Sequence, residues 1–238
     1  MFSTDQDFLE RAKRYLHQDP SKLEDKGDVI LNEGVRKMHP TFREAVVLFS
    51  VIERPEGLTT LLNMRPEHLK DHGGQVGFPG GKVEDDDTGP ISTVHREAME
   101  EVGIAASKIG PIGFLDAYVT GSGFRIVPAL CHVKMDEPMR LDPNEVEAAF
   151  EVPFSFLMNL DNQEHGFIEY RNKPRFYYEY NYHDGTQDWR IWGVTAGIIR
   201  QLYETIYPEF PVDQPYFCLL YTSPSPRDLS TSRMPSSA

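Results

Sequence analysis

The chain has 238 residues, long enough to bury a full core as one domain with extensions. Its 37 Asp and Glu outnumber its 24 Lys and Arg, and a net charge of −13 argues against broad nucleic-acid binding through a positive surface. Two cysteines, Cys131 and Cys218, suggest neither a disulfide framework nor a zinc site and fit a reducing, cytoplasmic compartment, and no stretch approaches the roughly 20 apolar residues of a membrane span.

Phe8, Leu9, Ala12 and Leu16 predict an amphipathic helix over residues 5–17 whose apolar stripe needs a partner surface. Residues 18–40 read as a polar connection. EAVVLFSVIE then reads as a buried strand, LTTLLNM as its neighbour, and RPEG as the turn of a hairpin. A glycine-rich loop, DHGGQVGFPGG, and an acidic loop, EDDDTG, lead into a helix from about Pro90 to Val102. Strands follow around 110–119 and 124–134, the second interrupted by Pro128, which favours an edge or bulged position. FYYEYNY, HDGT and DWRIW predict a further hairpin. Thr195 is a candidate cap for the helix AGIIRQLYETI, in which Ile198, Ile199, Leu202 and Ile206 share one face. Tyr177, Tyr178, Tyr180 and Tyr182 would suit an adenine-stacking platform, but hairpin and core packing is the simpler reading. Gly121 and Gly123 make a turn, and Cys131 reads as a buried small residue. The order of elements implies an α/β fold, a mixed sheet covered by helices.

In the helix 90–102, Ile91, Val94, Ala98 and Val102 fall on one side, while Glu97, Glu100 and Glu101 occupy an adjacent one. Like charges so placed repel by a few tenths of a kcal/mol per pair, roughly, and a divalent cation such as Mg²⁺ or Mn²⁺ would compensate them. An acidic helix face alone is usually only solvated. Its context points elsewhere: Gly80 and Gly81 permit a tight backbone path beside a ligand, and Arg96 can hold a carboxylate with a two-pronged hydrogen bond.

This assembly resembles the Nudix box, in which a Gly is followed after five residues by Glu and after seven more by Arg-Glu-apolar-any-Glu-Glu-any-Gly-apolar. Arg96, Glu97, Ala98, Glu100, Glu101, Gly103 and Ile104 match its second half; counted from Gly81, the expected Glu falls on Asp87 and Arg96 comes one residue late. Those departures, with LLNMRPEHLKDHGGQVGFPGG upstream, resemble the coenzyme A diphosphatase branch, through Leu61, Leu62, Arg65, Lys70, Gly74, Phe78, Pro79, Gly80 and Gly81. Asn63, Pro66 and Lys70 stand where that branch usually has Thr, Ser or Ala, and Arg. The resemblance covers approximately residues 43–205.

The resemblance implies an α/β/α sandwich with a mixed sheet that hydrolyses the diphosphate of coenzyme A or acyl-coenzyme A to 3′,5′-ADP and (acyl-)4′-phosphopantetheine, with Mg²⁺ or Mn²⁺ as cofactor. It implies Glu97, Glu100 and Glu101 as metal ligands, with Glu100, Glu101, Arg96 and Glu145 in catalysis. Glu100 would supply a further ligand or the base, and Glu145 an extra ligand or water-activating base, or else a plain surface glutamate. Arg65 and Lys70 would meet phosphates or simply lie on the surface, and His72, Gln75, Gly80 and Gly81 would line the substrate site, with a structural loop role open for His72 and Gln75. Another nucleoside diphosphate derivative such as ADP-ribose or NADH, or a non-catalytic nucleotide-binding module, is the alternative. The expected partner is a small-molecule substrate, with at most a second copy in a homodimer and neither nucleic acid nor membrane.

These readings divide the chain into residues 1–40, a helix and polar connection, residues 41–210, the hydrolase domain, and residues 211–238, a tail. In CLLYTSPSPRDLSTSRMPSSA, residues 218–238, 11 of 21 residues are Ser, Thr or Pro without hydrophobic periodicity, which reads as disorder. The segment also resembles translated sequencing-adapter read-through, and is set apart from the fold on that ground.

Overall fold

The computed structural model describes residues 4–31, 39, 41–69, 72–170 and 173–211. Lys70 and the tail 212–238, with its adapter-like segment, lie outside the described residues.

The predicted hairpin is present as β2 (Arg43–Arg54) and β3 (Gly57–Met64), joined at Pro55 and Glu56. In β2 the two-residue side-chain period separates two cores: Val46, Leu48 and Ile52 face one hydrophobic cluster, and Phe49 and Val51 the other. A strand buried on both faces reads as the continuous apolar run seen in the sequence.

β2 pairs in parallel with β8 (Phe124–Val133), whose far side takes β6 (Ile109–Phe114) and β7 (Ala117–Val119) in antiparallel register. β8 is therefore central, against the edge expected from Pro128. Its proline is tolerated because it lies opposite the break between β6 and β7, where its carbonyl accepts from Leu115 N at 3.1 Å and no ladder donor is required. On the other side of the hairpin, β3 pairs with β4 (Val76–Gly77) and β9 (Ala148–Pro153), and β5 (Gly80–Lys82) pairs with β2. With β1 (Asp25–Gly27), parallel to β7, the described residues form one mixed sheet of nine strands.

β1 lies in what reads as a polar connection. Polar contacts hold that segment: Arg125 Nε donates to Asp25 at 2.8 Å, and Glu24 N donates to Asp116 at 2.9 Å. Such a strand has no apolar alternation to announce it.

Helix α1 (Asp5–Tyr15) is capped by Thr4, whose hydroxyl accepts from Asp7 N at 3.1 Å. Its stripe finds the expected partner: Phe8 packs on Phe154 with ring centroids 4.5 Å apart, and Arg11 donates to the carbonyl of Ile206. The short α2 (Asp28–Leu31) follows β1. Helix α3 (Pro90–Val102) covers one face of the sheet through Val94, Ala98 and Val102. The opposite face is covered by α1, α4 (Phe154–Leu157) and α5 (Val194–Ile206), so the architecture is an α/β fold with a mixed sheet and flanking helices.

Thr195 does not cap α5. The cap position is Gly193, and the hydroxyl of Thr195, the second helical residue, donates to Val76 O at 2.9 Å and ties the helix to β4. Ile198, Ile199, Leu202 and Ile206 are buried as expected. The aromatic hairpin forms β11 (Lys173–His183) and β12 (Asp188–Trp192), but with β10 (Gln163–Tyr170) it makes a separate antiparallel sheet rather than extending the first. Tyr178 and Tyr180 are core residues, in keeping with packing rather than base stacking. Cys131 is buried, which pushes its thiol up to about 12. Among the described residues no helix is long and apolar enough to cross a membrane.

Candidate active site

Helix α3 begins at Pro90, where Ser92 closes on the backbone of Gly89, and ends on Gly103 in the left-handed conformation at φ 71°. Gly103 N donates to Met99 O and Ile104 N to Ala98 O, a terminus that favours glycine. Between these ends, Glu97 and Glu101 are one turn apart and buried, at 8% and 3% exposure.

A third carboxylate arrives from a distant loop. Asp142 N donates to Glu101 O at 3.0 Å and Arg140 N to Val102 O at 3.1 Å, so the loop docks on the free carbonyls at the end of α3. A turn on Asp142 then presents Glu145. Glu97, Glu101 and Glu145 each offer an oxygen within 4.8 Å of the others.

The backbone leaves room for this cluster at Gly81 and fits closely against β2 at Gly80. A Cβ on Gly81 would overlap the Glu97 carboxylate, whereas one on Gly80, at φ 151°, would overlap the backbone of Val46 and Val47. Gly81→Ala is therefore expected to displace Glu97 while shifting the melting temperature by less than about 2 °C. Gly80→Ala should cost roughly 2–4 kcal/mol of stability, and thermal unfolding of both variants checks the contrast.

Burial raises the proton affinity of the cluster's two helix carboxylates, Glu97 and Glu101. Burial, reinforced by Glu97 and Glu145 and opposed by the Gly80 N–H and by Arg65, lifts Glu101 to about 8. Glu97 is also raised, first by burial and then by Glu100 and Glu145, against its hydrogen bond from Arg96. Glu101 Oε2 accepts from Gly80 N and from Asn63 Nδ2, both at 3.0 Å.

Glu100 is not in the cluster. Its half-exposed carboxylate accepts from Arg96 Nη1 at 3.1 Å. Arg96 also bonds Glu97 at 2.8 Å and Lys82 O at 2.8 Å, and grips both oxygens of Asp87 at 3.0 and 3.4 Å. Asp87, standing where the box pattern expects Glu, thus orients the arginine and lies outside the cluster. Its carboxyl is held down at about 2, chiefly by the Arg96 hydrogen bond.

Arg65 follows β3; its backbone closes the glycine-rich loop by bonds to Gly74 and Gln75, and its charge reaches Glu101. His72, at φ 61°, and Gln75 bond to each other at 2.8 Å, so both side chains hold the loop. The residue missed by sequence reasoning is Asn63: a lone amide in an apolar strand gives no periodic signal, and only its place in the LLNMR segment marks it.

The NUDIX domain family matches residues 41–171. The chain is 38% identical over 174 residues to a protein named uncharacterized Nudix hydrolase NudL in Escherichia coli O6:H1, covering 73% of this chain and 88% of that one. Its namesake in Escherichia fergusonii is 38% identical over 176 residues with the same coverage. Among solved structures, a MutT/nudix family protein from Enterococcus faecalis aligns with TM-score 0.44 and 13% identity over 76% of this chain and 68% of that one. By the family match and the two Escherichia relatives, with the cluster of Glu97, Glu101 and Glu145 in place, the chain belongs to the Nudix hydrolases and is a catalytic member acting on a nucleoside diphosphate derivative.

Proposed function

We propose that residues 41–210 hydrolyse the diphosphate bond of coenzyme A or acyl-coenzyme A to 3′,5′-ADP and (acyl-)4′-phosphopantetheine, with Mg²⁺ or Mn²⁺. The observation that carries the reaction class is the convergence of Glu97, Glu101 and Glu145 within 4.8 Å. These are hard oxygen donors whose mutual repulsion a divalent cation relieves, so the donor set fits the metal. When bound, such a cation neutralises diphosphate oxygens and lowers the pKa of a water.

Glu97 and Glu101, fixed by α3, form the rigid side of the cation site, and Glu145 completes it from the docked loop. Exposed Glu145 is also the group suited to accept the water's proton and pass it to solvent, since Glu100 is engaged by Arg96. Arg65, beside Glu101, offers a cation to the substrate's phosphates. Gly80 and Gly81 let the backbone approach the reacting group. The substrate choice is supported by the segment LLNMRPEHLKDHGGQVGFPGG, including Lys70.

One assay tests both levels: the protein with Mg²⁺ or Mn²⁺ and a panel of coenzyme A, ADP-ribose and NADH, with products identified by mass. Release of 3′,5′-ADP from coenzyme A is expected. Turnover of ADP-ribose or NADH without it would retain the reaction and discard the substrate. The same reading places residues 211–238 outside the working domain, with 218–238 as adapter read-through. Deleting 218–238 is expected to leave melting temperature and turnover unchanged.

A further inference from the structure

We propose that Asn63 is a positioning residue of the cation site, whose side-chain amide fixes the rotation of the Glu101 carboxylate. The inference rests on the reading that Glu97, Glu101 and Glu145 hold a divalent cation. Asn63 sits inside β3 with neighbours on both sides, Gly77 of β4 and Ala149 of β9, so its backbone is held by the sheet. It is 4% exposed, and its Nδ2 donates to Glu101 Oε2 at 3.0 Å.

Gly80 N donates to the same oxygen at 3.0 Å, from β5. Two donors on separate strands leave the carboxylate little freedom to turn about its last bond. Both donors fall on Oε2, and among the described residues none reaches Oε1, which is left free of protein hydrogen bonds.

Asn63 is a poor choice for stability alone. Its Oδ1 is buried with no hydrogen-bond partner, a desolvation cost that an apolar side chain of the same size would avoid. The flanking Leu61 and Leu62 are fully buried, so the strand already has its apolar anchors. The amide is accounted for by what its N–H does to Glu101. Groups that orient a ligating carboxylate control affinity for the ion without touching it.

The test measures Mn²⁺ affinity by electron paramagnetic resonance, and melting temperature without metal, for wild type, Asn63→Leu and Glu101→Gln. Asn63→Leu, which removes the donor at near-constant volume, should weaken Mn²⁺ binding about tenfold to hundredfold while the metal-free melting temperature stays level or rises. A loss of less than about fivefold, or destabilisation of the metal-free protein with affinity retained, overturns the inference. Should the leucine variant fail to fold, Asn63→Ala is read by the same criteria. If Glu101→Gln binds Mn²⁺ as wild type does, the cation-site reading itself fails, an outcome distinct from any result at Asn63.

Discussion

Glu101→Gln is expected to lower turnover roughly 10³-fold or more while making the metal-free protein more stable above neutral pH. Glutamine keeps the geometry of the side chain, and its Oε1 can take both existing hydrogen bonds, from Gly80 N and Asn63 Nδ2. What it removes is the charge. In the folded metal-free protein the Glu101 carboxyl is raised from 4.5 to about 8. A carboxyl raised on folding binds more protons folded than unfolded, so the wild type loses stability as pH climbs from about 4.5 to about 8. Below that window both states are protonated and the two proteins should melt together; above it the glutamine variant should melt higher, by about 2–4 °C for each kcal/mol relieved. Saturating Mn²⁺ should invert the order, because binding to the folded wild type stabilises it by mass action and the variant has lost a ligand. Calorimetric scans on either side of that window, at about pH 4 and about pH 8.5, with and without Mn²⁺, read all four conditions. A variant with unchanged turnover, or without the crossover, would take Glu101 out of the cation site.

The helix that bears the site was legible in the sequence because several local signals agree. Pro90 starts it, Ile91, Val94, Ala98 and Val102 give one apolar side, and Gly103 ends it. The division of labour among its glutamates was not. Residues at i, i+3 and i+4 share one helix face, so spacing alone does not separate Glu100 from Glu97 and Glu101. In the structure Glu100 accepts the i,i+4 bond from Arg96, while Glu97 and Glu101 come together with Glu145. Glu145 was legible only as a candidate, since its position depends on loop 140–146 finding the carbonyls at the end of α3, a contact between segments some 40 residues apart. The main hairpin followed from its apolar runs and its turn. The separate sheet of β10, β11 and β12 did not, because side-chain alternation identifies strands but carries no information about which sheet they join.

Arg96→Met tests the other half of the site, the scaffold that keeps the carboxylates in place. Methionine retains an apolar stem and removes five donors that reach Asp87, Glu97, Glu100 and Lys82 O. Asp87 is the residue most exposed to the loss: its side chain is only 6% exposed, and it would keep bonds from Thr93 and Glu84 N but no cation. Leaving a largely buried carboxylate without its counter-charge should cost about 2–4 kcal/mol, reduced from the fully buried case because the loop lies at the surface. The pH dependence separates this cause from lost packing. Asp87 is depressed from 3.8 to about 2, so the stability it contributes through Arg96 is present above pH 3.8 and disappears as pH falls through about 2. The gap between wild type and variant should therefore narrow across that interval, and Asp87→Asn in the Arg96→Met background should recover part of it at neutral pH. A gap that stays constant from pH 6 to pH 2 would assign the arginine's role to its stem. Turnover should fall in either case, because Glu97 loses the bond that opposes its protonation and the loop 82–87 is left with only the Thr93 bond to α3, so the ion-binding face and the backbone that faces it are loosened by one substitution.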